Sequence, residues 1–136
     1  MSNDLHLETT IPFASSQDVY EAWLDSGKHA AFTGDTADIH PGIGGKFSIA
    51  CGYITGETLE LEPYHRIVQS WRTIDFPEDA PDSILEILLR DSEKGCLLEL
   101  RQTNLPGDQV DLYESGWVHY YFHPLIRYFS KKPVFG

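Results

Sequence analysis

Two hydrophobic periods divide the chain. Leu5, Leu7, Thr9 and Ile11 alternate with His6, Glu8 and Thr10, the mark of a strand with one buried face, and Pro12 ends it. Alternation returns after residue 36 and persists to Asn104. Ala37 to His40 leads into the turn PGIGG, and Lys46 to Cys51 alternates around Phe47 and Ile49. Tyr53 to Glu62 follows with Gly56 in mid-strand, where a bulge or sharp bend is expected. Pro63–Tyr64 turns the chain into His65 to Ile74, which carries Ile67 and Trp71. A loop, DFPEDAPD, separates this from Ser83 to Arg90 with Leu85, Ile87 and Leu89 inward, and DSEKG closes a hairpin onto Cys96 to Asn104.

The second period is helical. Ser15 and Asp18 stand at capping-box distance, with Val19, Tyr20 and Trp23 on one face, predicting a short helix ending near Asp25–Gly27. Another, Lys28 to Phe32, is stopped by Thr33–Gly34. The long helical segment is Asp111 to Phe129, about 28 Å at ~1.5 Å per residue. Val110, Tyr113, Trp117, Tyr121, Leu125 and Tyr128 form its apolar stripe, and Tyr120, Phe122, Ile126 and Phe129 widen it enough to predict a largely enclosed helix. Gly116 inside this pattern suggests close approach to another backbone. Pro124 lacks a donor and meets the carbonyl of Tyr120, so a kink is expected near Tyr120 to His123.

One strand, two short helices, about six antiparallel strands and one long helix define an α+β domain. A strongly curved antiparallel sheet of six or seven strands gripping the long helix fits this order. A bent sheet and a straight helix leave space between them. Trp23, Phe32, Phe47, Tyr53, Trp71, Trp117 and Tyr121 are the candidate lining of that space, with ordinary core packing as the plainer alternative.

The 136 residues fit one domain, 1–136, and no interdomain linker or repeat interrupts them. A formal charge of −11 and only 10 Lys and Arg exclude nucleic acid and disfavour an anionic membrane surface. No apolar run reaches the length of a membrane span, and MSNDLHLE has no basic cap before an apolar stretch, so a cytoplasmic protein is expected. Cys51 and Cys96 lack CxxC spacing and read as small apolar filler in a reducing compartment.

Candidate chemistry is sparse. His119 and His123 stand i, i+4, but a zinc site needs a third or fourth ligand and no HExxH glutamate lies between them, so no metal is expected. GIGGK lacks P-loop spacing and leads into a strand, so it reads as a turn. Glu57, Glu60 and Glu62, like Glu78, Asp79 and Asp82, read as solvated faces and loop. Arg72, Arg90 and Arg101 either point inward toward a carboxylate-bearing ligand or pair across strands with Glu86 or Glu99; the pairing is the expected outcome. There is no GxSxG elbow, and no catalytic residue or cofactor is assigned.

Four stretches in order carry a family likeness: AFTGDTADIHPGIGGKF (31–47), YITGE (53–57), IVQSW (67–71) and GWVHYYF (116–122). With Gly44–Gly45 before Lys46–Phe47, Gly56, Trp71 and Gly116–Trp117, the chain resembles the C-terminal domain of activators of the ninety-kilodalton heat-shock chaperone's ATPase. That family lies within the START-like (SRPBCC) helix-grip superfamily, and the likeness runs from about Thr9 to Phe129. In the two-domain activators a separate N-terminal domain supplies most of the stimulation. The resemblance implies a non-catalytic domain, of a kind mostly unassigned in function, that binds a protein partner such as the heat-shock chaperone, in a stress-response setting. The aromatic stripe allows a second class, a carrier or sensor of a small hydrophobic ligand, and superfamily relatives include a few cyclases. Monomer and homodimer are equally compatible with the sequence.

Overall fold

A computed structural model describes residues 3–130. Residues 1–2 and 131–136, the extremities of the expected 1–136 domain, lie outside the described residues. Among the described residues seven strands form one antiparallel sheet in the order β1-β7-β6-β5-β4-β3-β2. They are β1 (Leu5–Ile11), β2 (Ala37–Ile39), β3 (Lys46–Ile49), β4 (Ile54–Glu62), β5 (Arg66–Thr73), β6 (Ser83–Ser92) and β7 (Gly95–Thr103). Helices α1 (Ser16–Leu24) and α2 (Ser26–Thr33) follow β1. The long helix runs from α3 (Val110–Trp117) through a π-helical stretch, Val118–Phe122, into α4 (His123–Ser130). This is the curved, helix-gripping α+β fold that the alternation predicts.

Strand parity sorts the side chains. Leu85, Ile87 and Leu89 of β6 and Leu98 and Leu100 of β7 are buried at alternate positions. Ile67, Gln69, Trp71 and Thr73 do the same in β5. On β4 the register slips between Thr58 and Glu60, so the inward set changes from Ile54, Gly56 and Thr58 to Leu61, opposite Thr73, Trp71, Gln69 and Ile67. The bulge therefore sits beside Leu59 and not at Gly56, as the glycine suggested. Gly56 answers a different need: a β-carbon there would collide with the Ser70 carbonyl and the Phe47 ring.

Local chemistry sets the other boundaries. Ser15 and Asp18 form the expected capping box, each side chain bonded to the other's backbone N–H at 3.0 Å. Asp25 closes α1 through its N–H to Glu21 O and opens α2 by accepting the Lys28 N–H at 2.8 Å, so α2 starts two residues before Lys28. Ala50, Cys51 and Gly52 all have positive φ (56°, 54° and 90°), which stops β3 at Ile49 and delays β4 to Ile54. Cys51 is exposed in this turn; only Cys96 is the buried filler expected of both. GIGGK is a turn, with Gly42 and Gly44 at φ 92° and 87°.

The distortion near Pro124 takes the form of the π-helical stretch. The His123 N–H reaches back five residues to the carbonyl of Val118, widening the helix just before the proline. Pro124 is itself buried. At Gly116 the expectation of a close backbone fails: a β-carbon there would meet only the Tyr120 ring, at 3.9 Å.

Candidate functional site

Six of the seven aromatic candidates meet under the long helix. Trp23 from α1 stacks on Trp117 with ring centres 6.1 Å apart, Trp117 lies 5.4 Å from Trp71, and Tyr121 is 4.8 Å from Trp117 and 5.8 Å from Phe32. Phe47 completes the group from β3, lying against Gly56. All six are buried. The space left among five of them, all but Phe32, is about 10 Å³, room for about one water molecule.

This aromatic body is pinned by buried polar groups. Trp23 Nε1 donates to Gln69 Oε1 (3.2 Å), and Gln69 Nε2 donates to Thr58 Oγ1 (3.1 Å). Trp117 Nε1 donates to Gln102 Oε1 (2.8 Å), Gln102 Nε2 to Ser83 Oγ (3.0 Å), and Ser83 Oγ to the Trp71 carbonyl (2.7 Å). His29 joins α1 to the long helix. Its Nδ1 lies 2.8 Å from the Trp23 carbonyl, which only accepts, so Nδ1 carries the proton and Nε2 accepts the Tyr121 hydroxyl proton at 2.8 Å. Burial lowers the His29 pKa to about 4 and raises that of Tyr121. Among the described residues no buried side-chain nitrogen or oxygen lacks a partner.

His29, Gln69 and Gln102 were missed as site residues. For the glutamines the signal was present: each is a polar residue on the buried parity of its strand, Gln69 between Ile67 and Trp71, and Gln102 two residues after Leu100. His29 carried no such mark, because helical periodicity in a segment as short as SGKHAAFT does not resolve which face is buried.

The seventh candidate, Tyr53, stands elsewhere. With Ile54, Trp71, Leu112, Tyr113, Gly116, Trp117, Tyr120 and Tyr121 it walls a cleft of about 110 Å³ between α3 and the β4–β5 end of the sheet. Trp71 and Trp117 form its buried depth, while Leu112 and Tyr120 are 54% and 72% exposed at its rim. Tyr53 OH donates to Asp75 Oδ2 (2.6 Å), and burial followed by that bond raises its pKa to about 12. Tyr113 OH donates to Gln109 Oε1 (2.7 Å) and accepts from Thr73 Oγ1 (2.6 Å). Burial pushes the Tyr113 hydroxyl up, reinforced by the carboxylates of Asp75 and Asp108. Among the described residues no Lys or Arg lines the cleft.

Other candidates lie on the surface. Arg72 bonds Asp82 Oδ1 (2.9 Å) and the Pro77 and Ala80 carbonyls, Arg101 pairs with Glu99 on its own strand, and Arg90 is exposed; none of the three lines the cleft. The partner of Glu86 is Arg66, which also bonds Glu60. His119 and His123 are both exposed with rings 5.9 Å apart, and no group of three metal-ligating side chains occurs among the described residues. A wider, open depression of about 550 Å³ lies on the outer sheet face among Glu8, Arg90 and Glu99.

Comparison with known proteins places these features. Residues 14–130 match the family model described as Activator of Hsp90 ATPase homolog 1-like protein. An activator of 90 kDa heat shock protein ATPase homolog from Dictyostelium discoideum is 30% identical over 103 residues, 76% of this chain and 27% of that protein. The human activator homolog 1 is 28% identical over 117 residues, 85% of this chain and 34% of that protein. The chain thus spans about a third or less of the curated relatives it matches. Among solved structures, an HSP90 activator from Plasmodium falciparum superposes with a TM-score of 0.83 at 23% identity, covering 93% of this chain and 96% of that one. A protein of the dynemicin biosynthetic locus superposes at 0.80 and 18% identity, covering 96% and 48%. At these identities the structural likenesses establish the fold.

Proposed function

The chain belongs to the Activator of Hsp90 ATPase homolog 1-like family, and on that footing we propose that it is a non-catalytic START-like domain acting by binding a protein partner, the ninety-kilodalton heat-shock chaperone. The observation that carries this reading is the size and setting of the cleft. At about 110 Å³ it falls well below the roughly 300–1,000 Å³ of small-molecule sites. It is sized for one side chain, and Leu112 and Tyr120 present apolar surface around it. His29 borders the interstice of about 10 Å³, too small for a substrate, while its hydrogen-bond partner Tyr121 also forms part of the cleft wall with its hydroxyl turned to His29. Membership in an activator family supports the same non-catalytic reading. No described helix is long and apolar enough to cross a membrane, and action on a heat-shock chaperone fits the expected cytoplasmic location.

The test is calorimetric titration of the purified chaperone with this protein, alongside the chaperone's ATPase rate. Saturable binding supports the reading, and a raised ATPase rate places stimulation in this domain. Absence of binding removes it. The carrier reading keeps one observation in its favour, the aromatic walls of the cleft. Native mass spectrometry of the freshly purified protein addresses it: extra non-covalent mass would make ligand carriage the leading function. The same spectrum reads monomer or homodimer.

A further inference from the structure

Gly116 stands inside α3, where glycine is less favourable than alanine. No neighbouring backbone requires it, because a β-carbon would find only the Tyr120 ring at 3.9 Å. What its bare α-carbon does provide is open space: Gly116 is part of the cleft wall between Leu112 and Tyr120. The π-helical stretch begins two residues later, and within it Tyr120 faces outward at 72% exposure while Tyr121 is buried. Such π insertions gather at functional sites. Helix stability is thus forfeited twice beside the same cleft.

We propose that this cleft receives a basic–apolar segment of a partner protein, one large apolar side chain seating against Trp71, Tyr113 and Trp117 and an adjacent lysine or arginine facing Asp75 and Asp108. The inference rests on the reading that a protein partner docks on this chain, and it names the chemistry of the docking segment. The depth takes only an apolar group, since its walls are aromatic and aliphatic and the polar atoms of Tyr53 and Tyr113 are committed to Asp75, Gln109 and Thr73. Charge selects the flank. Asp75 is exposed and held beside the cleft by Tyr53, and exposed Asp108 lies one turn before Leu112. With no basic residue on the cleft among the described residues and a formal charge of −11 on the chain, an acidic segment would meet repulsion there.

The probe is a capped heptapeptide with leucine between two lysines, compared with one in which glutamates replace the lysines and one in which alanine replaces the leucine. Binding is read from amide and indole NMR shifts. The lysine–leucine peptide is expected to shift Gly116 and the Trp71 and Trp117 indoles, and to bind about ten-fold more tightly than either counterpart. Asp108→Lys, an exposed change, should weaken the lysine peptide and strengthen the glutamate peptide; Gly116→Leu should abolish both. Equal binding of the three peptides, or shifts confined to other surfaces, would overturn the proposal. So would equivalent shifts at these residues from decanoate, or from raising the protein concentration alone, which would give the cleft to a free apolar ligand or to a second copy. Chaperone binding measured in parallel separates the two readings. A chaperone that binds while the peptides bypass the cleft removes this inference alone. Peptides that seat in the cleft while the chaperone does not bind remove the chaperone reading and leave the segment chemistry standing.

Discussion

The residues that decide the interior are the polar ones placed on apolar parity. Gln69 and Gln102 each fill both ends of their amide, holding Trp23 and Trp117 by their indole N–H groups. A full set of partners makes such a network worth its desolvation and fixes one arrangement of the rings. His29 works likewise, and it gives the protein a pH dependence. In the unfolded chain this histidine takes a proton near its ordinary 6.5, whereas in the fold it stays neutral until about 4. Between those values the unfolded state binds more protons, so stability falls as the pH drops through that window and is fully present above it. Urea midpoints measured from pH 7 to pH 4.5 should therefore fall more steeply for the native protein than for His29→Gln. Parallel curves would mean that His29 is solvated. The apolar partners in this cluster were legible from their spacing; the histidine was not, because its burial follows from where Tyr121 arrives, 92 residues later.

At the level of elements, the long helix shows how far a local rule reaches. Its apolar stripe, its start near Val110 and a disturbance before Pro124 all follow from spacing and from proline's missing N–H. The form of the disturbance does not: the break in the regular ladder could be met by bending or by widening, and here five-residue bonding widens it. Gly116 and Gly56 reverse their expected roles for one reason, since a glycine in a pattern says only that a β-carbon is missing. At Gly56 the neighbour is a ring and a carbonyl from flanking strands; at Gly116 it is the edge of the Tyr120 ring at an ordinary contact distance of 3.9 Å. Gly116→Ala should accordingly raise stability by about 1 kcal/mol in chemical denaturation. A loss of stability would mean that another backbone does approach there.

For the molecule as a whole, sheet order governs which distant residues can meet. Cys96 lies on β7 and Cys51 in the turn after β3, with β6, β5 and β4 between them. Adjacent strands are about 4.8 Å apart, so the two thiols are beyond disulfide reach. Under mild oxidant, non-reducing electrophoresis should show only a disulfide-linked dimer that Cys51→Ser removes and Cys96→Ser leaves intact; buried Cys96, with its thiol raised to about 12 by burial, stays unreactive. An intramolecular disulfide would contradict the strand order. The alternating strands, the capped helices and the long amphipathic helix, hence an α+β fold and seven aromatic candidates for its interior, were legible in the chain because they follow from side-chain period and backbone preference over a few residues. That six of those rings are buried together while Tyr53 joins Leu112, Gly116 and Tyr120 at an acidic-edged cleft is set by the folded packing. That outcome depends on the β4 bulge, on the widened turn before Pro124 and on the depth at which the helix rests on the sheet. Each is a balance of packing between segments far apart in the chain, which no local pattern records.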